Sequence, residues 1–357
     1  VAALAVATTG MLAGCSVNVP GNPGAPAPSE PETPAASKTL TLAEGVTLTF
    51  TGTVREKVIP TGTLQYLAIK FKLNNETKKN VTISENNFKT NLNGEYRTMY
   101  DNLSTMQNYM LERLLERISL SPYKHNFIIK GGFLVSAIVG LDTRATMDLD
   151  TTIKGFTLTH EAILSIFKDV CAVQIDDDVQ FEVMGVADIR ETDDYPGIRV
   201  SLKANYPPIS VPLTVDVTTG DMITPREIEY TFSMLFDDRT ISVLAYNLET
   251  VLAEKLETVL SRNIANTRPR DYYDIYILYA LRGAECDKAT LRRALERTTE
   301  KRGSGKILTQ YPEIMQEIRD SDTLRRQWSK YSREYDYAKE ISFDDTCNAI
   351  QKIMEEM

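Results

Sequence analysis

Cysteine and histidine are scarce in this 357-residue chain. The four cysteines (Cys15, Cys171, Cys286, Cys347) stand far apart without a Cys-x-x-Cys pair, and the only histidines are His125 and His160. Zinc sites and disulfide frameworks need such residues clustered at short spacings, so neither is expected. Positive charge is short as well, with 40 Lys and Arg against 49 Asp and Glu. The net charge of -9 excludes a general nucleic-acid coat, which works by displacing counterions with an excess of cations. A local basic patch remains compatible with it. The apolar stretch at residues 1–12 is too short to span a bilayer as a helix. What is present is ordinary globular composition, 42% hydrophobic and 25% charged, in a chain long enough for two or three domains.

The apolar stretch ends in Leu12-Ala13-Gly14-Cys15, which resembles the lipobox at which bacterial lipoproteins are cleaved and lipidated. That resemblance implies a signal at residues 1–15 and a membrane anchor through lipidated Cys15, although no Lys or Arg precedes the run. Residues 16–38, dominated by Pro, Ala, Gly, Ser and Glu, predict a flexible linker. Residues 39–100 carry short alternating runs such as Val46-Thr47-Leu48-Thr49-Phe50, with turn signals at Asn74-Asn75 and Asn93-Gly94. They predict a small β-sandwich that looks like the immunoglobulin-like modules of Gram-positive lipoproteins, which implies a binding or spacer role. A helix is expected from Ser104, where Ser104 and Gln107 have capping-box spacing and Leu111, Leu114, Leu115 and Ile118 follow at helical intervals. Strand and helix patterns then alternate to about residue 240, and the rest is helical. The fold class is therefore α+β: a β-sandwich, an α/β domain at 102–240 and a helical domain at 241–357.

Chemistry concentrates in the α/β part. Gly131-Gly132, between the apolar run Phe127-Ile128-Ile129 and a helical pattern, lets backbone approach a phosphate at a helix N-terminus, or simply makes a turn. Asp148 and Asp150, two apart in a strand-like run, share a face, with Leu149 on the other. Two carboxylates so close repel unless a cation lies between them, and a divalent metal is the simplest such cation. In Val211-Pro212-Leu213-Thr214-Val215-Asp216-Val217 the odd positions are apolar, so Asp216 takes the polar face and offers a third hard oxygen ligand. Asp221 follows in a turn that it could close itself. Lys255 falls within the apolar stripe Leu248, Val251, Leu252, Leu256 and Val259, unlike Glu254 and Glu257, so it must snorkel or meet an anion. Arg268-Pro269-Arg270-Asp271 opens another helix, where Asp271 and Asp274 share a face and Asp271 suits the first-turn dipole.

In order, the Lys130-Gly131-Gly132 turn, Arg144-x-Thr146-x-Asp148-x-Asp150, Val215-Asp216-Val217, Ala253-Glu254-Lys255-Leu256 and Arg270-Asp271-x-x-Asp274 resemble the AbiEii/MenT nucleotidyltransferase toxins over about residues 102–357. The resemblance implies a polymerase-β-like fold and the toxin half of a type IV toxin–antitoxin or abortive-infection system, with an AbiEi-type antitoxin as partner. It implies that Asp148, Asp150 and Asp216 hold Mg²⁺, that Gly131, Gly132, Arg144 and Lys255 hold the NTP, and that Asp271 is the base. The acceptor it implies is a tRNA 3′ end, and Arg292, Arg293, Arg297, Lys301, Arg302 and Lys306 either meet that acceptor or form a solvated helix face. Phe133 stands where the family turn often has Ser or Thr. The family is cytosolic, so either the chain is a fusion of a lipoprotein-like half and a cytoplasmic enzyme, which is the preferred reading, or the lipobox-like start is not used. The alternative from another class is a surface lipoprotein whose β-module binds a ligand and whose C-terminal half is catalytically inactive.

Overall fold

The computed structural model describes residues 107–357 in full, except 141–147, 190–196, 207–209, 235–238 and 336. The lipoprotein-type signal, the linker and the immunoglobulin-like module expected before residue 102 lie outside these residues, and so does Arg144. Two compact units divide at Thr105/Met106, and the second carries every other candidate site residue.

The second unit is entered through helix α1 (Asn102–Leu120), which starts two residues before the expected Ser104. Met110, Leu111, Leu114, Leu115 and Ile118 recur every three or four residues and are fully buried, so one stripe of α1 belongs to the core. Arg113 and Arg117 are buried too, because each has carboxylates to meet: Glu112 and Glu116 for the first, Asp177 for the second.

A seven-stranded mixed sheet follows. Its strands are β1 (Phe127–Lys130), β2 (Asp148–Ile153), β3 (Gln180–Asp188), β4 (Gly197–Tyr206), β5 (Ile209–Thr219), β6 (Ile228–Ser233) and β7 (Thr240–Ala245). The spatial order is β3-β4-β5-β2-β1-β7-β6, with β5/β2 and β1/β7 parallel and the other pairs antiparallel. The alternation in β5 gives the sheet its two characters. Val211, Leu213, Val215 and Val217 are at most 2% exposed, and Ile198, Val200, Leu202 and Ala204 of β4 line the same buried side. Each such Val, Ile or Leu contributes about 1.5–3 kcal/mol of burial. The polar residues between them are left on the opposite side. Pro212 pairs only with Lys203 of β4, because β2 joins β5 from Thr214 onward, so it has an open strand side as an edge proline does.

Helix α2 (Gly131–Val139) leads directly off β1. Helix α3 (His160–Ala172), capped by Thr159, packs on the buried side, where Phe167 meets Phe127 edge-on at 5.7 Å. After β7 the chain is helical: α4 (Leu248–Arg262), α5 (Pro269–Arg282), α6 (Lys288–Lys301), α7 (Ile307–Asp320), α8 (Asp322–Glu334) and α9 (Phe343–Glu356). Side-chain caps start several of them, including Asn247 for α4, Asp287 for α6 and a Ser342/Asp345 capping box for α9. Tyr273, Trp328, Tyr331, Tyr337 and Phe343 stack into one aromatic cluster that fastens α8 and α9 behind α5, and the Trp328 indole N–H donates to the Ile341 carbonyl at 3.0 Å.

Candidate active site

Strand register decides which polar side chains meet. Lys130 of β1 lies opposite Asp150 of β2, Asp150 opposite Asp216 of β5, and Asp216 opposite Arg199 of β4. Directly opposed residues on one face lie within side-chain reach of each other. The polar side of the sheet therefore carries a row of cation, carboxylate, carboxylate, cation, with Asp148 one pleat along, opposite Thr214. The row faces a cleft of about 1320 Å³, whose other wall is built from α4, α5, α8 and the end of α6.

Both β2 aspartates resist ionisation. Burial pushes the Asp150 carboxyl up, the Gly132 amide and Lys130 pull it back, and Asp216 adds to the rise. Asp148 is also raised, first by desolvation in the cleft and then by Asp150 and Asp216. The Gly132 N–H donates to Asp150 Oδ2 at 3.3 Å, so the first turn of α2 holds that carboxylate from below. Gly131 makes this possible. Its φ of +63° is left-handed, and a Cβ there would overlap the Asp150 carboxylate. Gly131→Ala should therefore displace Asp150 and lower kcat by roughly 10²-fold, the usual effect of an ångström-scale misplacement. Steady-state kinetics beside a melting curve would check this, and wild-type kcat in a folded variant would refute it.

Beneath the row lies a network that sequence reading does not reveal. Lys130 Nζ donates to Asp221 Oδ2 at 2.5 Å and to Thr218 Oγ1 at 2.7 Å, and Thr218 in turn donates to Asp221 at 2.8 Å. Burial works against the Lys130 ammonium, but Glu254 and Asp221 outweigh it and its pKa is raised. Burial also opposes ionisation of Asp221, yet Lys130 and the Thr218 hydroxyl hold its pKa down. Asp221 thus does more than close its turn. Arg302 reaches across to Glu254 (3.1 Å) and Glu257 (2.5 Å). Periodicity leaves both glutamates outside the apolar stripe of α4, but Glu257 is buried and both face Arg302, because the site side of α4 is polar and still covered.

Lys255 meets anions rather than snorkelling. Its Nζ lies 2.6 Å from Asp271 Oδ1 and 2.8 Å from Asp274 Oδ2, which clamps α4 to the first turn of α5. Asp271 Oδ2 is buried with no hydrogen-bond partner. Asp271 turns its carboxylate to Lys255 and lines the cleft.

Asp216 is engaged elsewhere. Arg199 binds it bidentately, Nε to Oδ1 and Nη2 to Oδ2, both at 2.8 Å. Among the described residues, accordingly, no three His, Cys, Asp or Glu side chains are gathered as a metal cage. Of the basic residues named on and after α6, only Lys301 and Arg302 line the cleft, and Lys301 donates to the Gly220 carbonyl at 2.6 Å. Arg292 pairs with Glu296, while Arg293 and Arg297 donate to Thr290 and Thr224. The cleft takes other cations from Arg268 and Arg270 at the start of α5 and from Lys330 on α8, which the sequence does not bring together.

Residues 113–349 match the family described as nucleotidyl transferase AbiEii toxin, type IV TA system. The chain belongs to this AbiEii family. It is a nucleotidyltransferase, and the glycine turn, aspartate row and Lys255–Asp271 clamp of this AbiEii member all fall inside the matched segment. Solved structures similar to it include JHP933 from Helicobacter pylori, at 13% identity and a TM-score of 0.43, covering 71% of this chain and 91% of that one. Another is an antigenic nucleotidyltransferase-like protein from Paracoccidioides brasiliensis, at 15% identity and a TM-score of 0.34, covering 61% of this chain and 94% of that one. No curated protein matches the AbiEii chain.

Proposed function

We propose that this enzyme is the toxin of a type IV toxin–antitoxin system and transfers a nucleoside monophosphate from an NTP to an acceptor hydroxyl, with a tRNA 3′ end as acceptor and an AbiEi-type protein as antitoxin. The observation that carries the reading is the row Lys130, Asp150, Asp216, Arg199, set over a glycine turn and facing one large cleft. The donor set suits Mg²⁺: Asp148 and Asp150 are hard oxygen donors on one face, each hindered from ionising by burial and by neighbouring carboxylates, a cost that a divalent cation removes. Asp148 and Asp150 would hold it, joined by Asp216. Bound there, Mg²⁺ supplies charge neutralisation for the phosphates and stabilises the developing oxyanions.

The chain's own groups supply the rest. The side-chain-free turn at Gly131 and Gly132 lets the phosphates approach the start of α2 while the Gly132 N–H stays on Asp150, and Lys255 and Arg144 bind the triphosphate. Asp271, which lines the cleft, receives the acceptor hydroxyl proton, while Lys255 holds its carboxylate in place through Oδ1. The acceptor oxygen bonds to the α-phosphorus, the bond from that phosphorus to the β-phosphate oxygen breaks, and pyrophosphate leaves.

Label transfer tests this. Full-length protein with Mg²⁺, each α-labelled NTP in turn and total tRNA should label the RNA, and Asp148→Ala/Asp150→Ala should not. Label on protein instead of RNA would move the acceptor to a protein hydroxyl. Absence of any label or NTP binding would favour the inactive-domain lipoprotein reading.

A further inference from the structure

The two cations that end the aspartate row are held very differently. Lys130 is 12% exposed, fixed by Asp221 and Thr218, and has no freedom to leave. Arg199 is 49% exposed, and Asp216 is its only hydrogen-bonded or ion-paired partner among the described residues. The guanidinium is half in solvent, where an ion pair is screened, so a competing anion can take it at small cost. Yet while the pair stands, both Asp216 oxygens are occupied by charge-assisted bonds, and the planar fork of Arg fits them better than an ammonium could. Arg199 also lines the same cleft as the glycine turn and Lys255.

We propose that Arg199 is an exchangeable counter-cation: in the nucleotide-free enzyme it occupies Asp216, and the entering triphosphate draws it onto phosphate, releasing Asp216 to the metal. Metal and nucleotide then bind with positive coupling, and by linkage each tightens the other by the same factor. The inference rests on the reading of Asp148, Asp150 and Asp216 as metal ligands. It adds that the third ligand is withheld until substrate arrives, so the site binds metal weakly on its own.

Mn²⁺ binding to the full-length protein, followed by the loss of the free-ion electron paramagnetic resonance signal, tests it with and without a non-hydrolysable α,β-methylene NTP. The wild type should bind Mn²⁺ about tenfold more tightly with the analogue present, within the usual range of coupling. Arg199→Gln should bind Mn²⁺ about tenfold more tightly than wild type without analogue, and the coupling should shrink to about threefold or less. Arg199→Lys, which keeps the charge but not the fork, should fall between. Equal Mn²⁺ affinity and equal coupling in wild type and Arg199→Gln would overturn the proposal, and so would a lower melting temperature in that variant with coupling unchanged, the mark of a merely structural arginine. If Asp148→Ala/Asp150→Ala binds Mn²⁺ as wild type does, the metal reading fails and takes the proposal with it. If that control loses Mn²⁺ while Arg199→Gln behaves as wild type, only the exchange fails.

Discussion

Asp150→Asn should lower nucleotidyl transfer by roughly 10³-fold or more, a loss of about 4 kcal/mol of transition-state stabilisation, and should at the same time raise the melting temperature of the metal-free protein. The two effects have one cause. Asp150 lies half-buried between Lys130 and Asp216, and desolvation pushes its pKa up, so its ionised form works against the fold above that raised value. An amide keeps the shape and still accepts the Gly132 N–H, but carries no charge to repel its neighbours. The attractions to Lys130 and Lys255 are lost as well, and the net upward shift says that they are the smaller part. For a chain of this size each kcal/mol moves the melting temperature by about 2–4 °C. A variant that is inactive and also less stable would mean that Asp150 is structural. One that keeps activity would remove it from the site altogether.

Lys130→Met should be the most destabilising single change at the site. It leaves the side-chain volume nearly intact but removes the cation that faces both Asp221 and Glu254. Losing one partner of a fully buried ion pair costs about 3–5 kcal/mol. Lys130 and Asp221 keep 12% and 16% of their side-chain surface exposed, which lowers the expectation to about 2–3 kcal/mol. Acid should narrow the gap. The folded-state pKa of Asp221 is depressed, so its contribution is present above the ordinary carboxylate range and is lost as pH falls through the lower folded value. In the variant, Asp221 keeps the Thr218 hydroxyl but has lost its ion-pair partner, a charge that protonation relieves, while Glu254 keeps Arg302. Urea denaturation at neutral pH and near pH 4 measures both quantities. A difference that stays constant or widens in acid would refute the account.

How much of this was legible in the sequence follows from what periodicity can carry. The two-residue repeat put Asp216 on the polar face of β5, and the Asp148/Asp150 spacing put two carboxylates on one side of β2; both are observed. Periodicity names a face, however, and not the neighbour across it. That Asp150 lies between Lys130 and Asp216, and that Arg199 closes the row, depends on strand order and register, and β1 and β5 come together around β2 from positions about ninety residues apart. Lys130 was visible only as the residue before the glycines. Glu254 and Glu257 do not stand out in the sequence because an apolar stripe marks only one covered side of a helix, whereas α4 is covered on its polar side too, by Arg302. The Lys255 partnership was within reach: a lysine in an apolar stripe needs an anion, and Asp271 and Asp274 share a face one helix later.

The aromatic cluster behind α5 contains the only tryptophan of the chain, Trp328, 4% exposed and hydrogen-bonded to the Ile341 carbonyl. Indole fluorescence, excited beyond the tyrosine band, therefore speaks for the helical wall alone. Tyr331, which contacts that indole ring, also lines the cleft, so ligand entry has a short path to the fluorophore. The sheet that carries the aspartate row has no indole and is silent at the same wavelength. Denaturation followed by Trp328 emission and by circular dichroism would coincide if sheet and helices melt together, and would separate if the helical wall opens first.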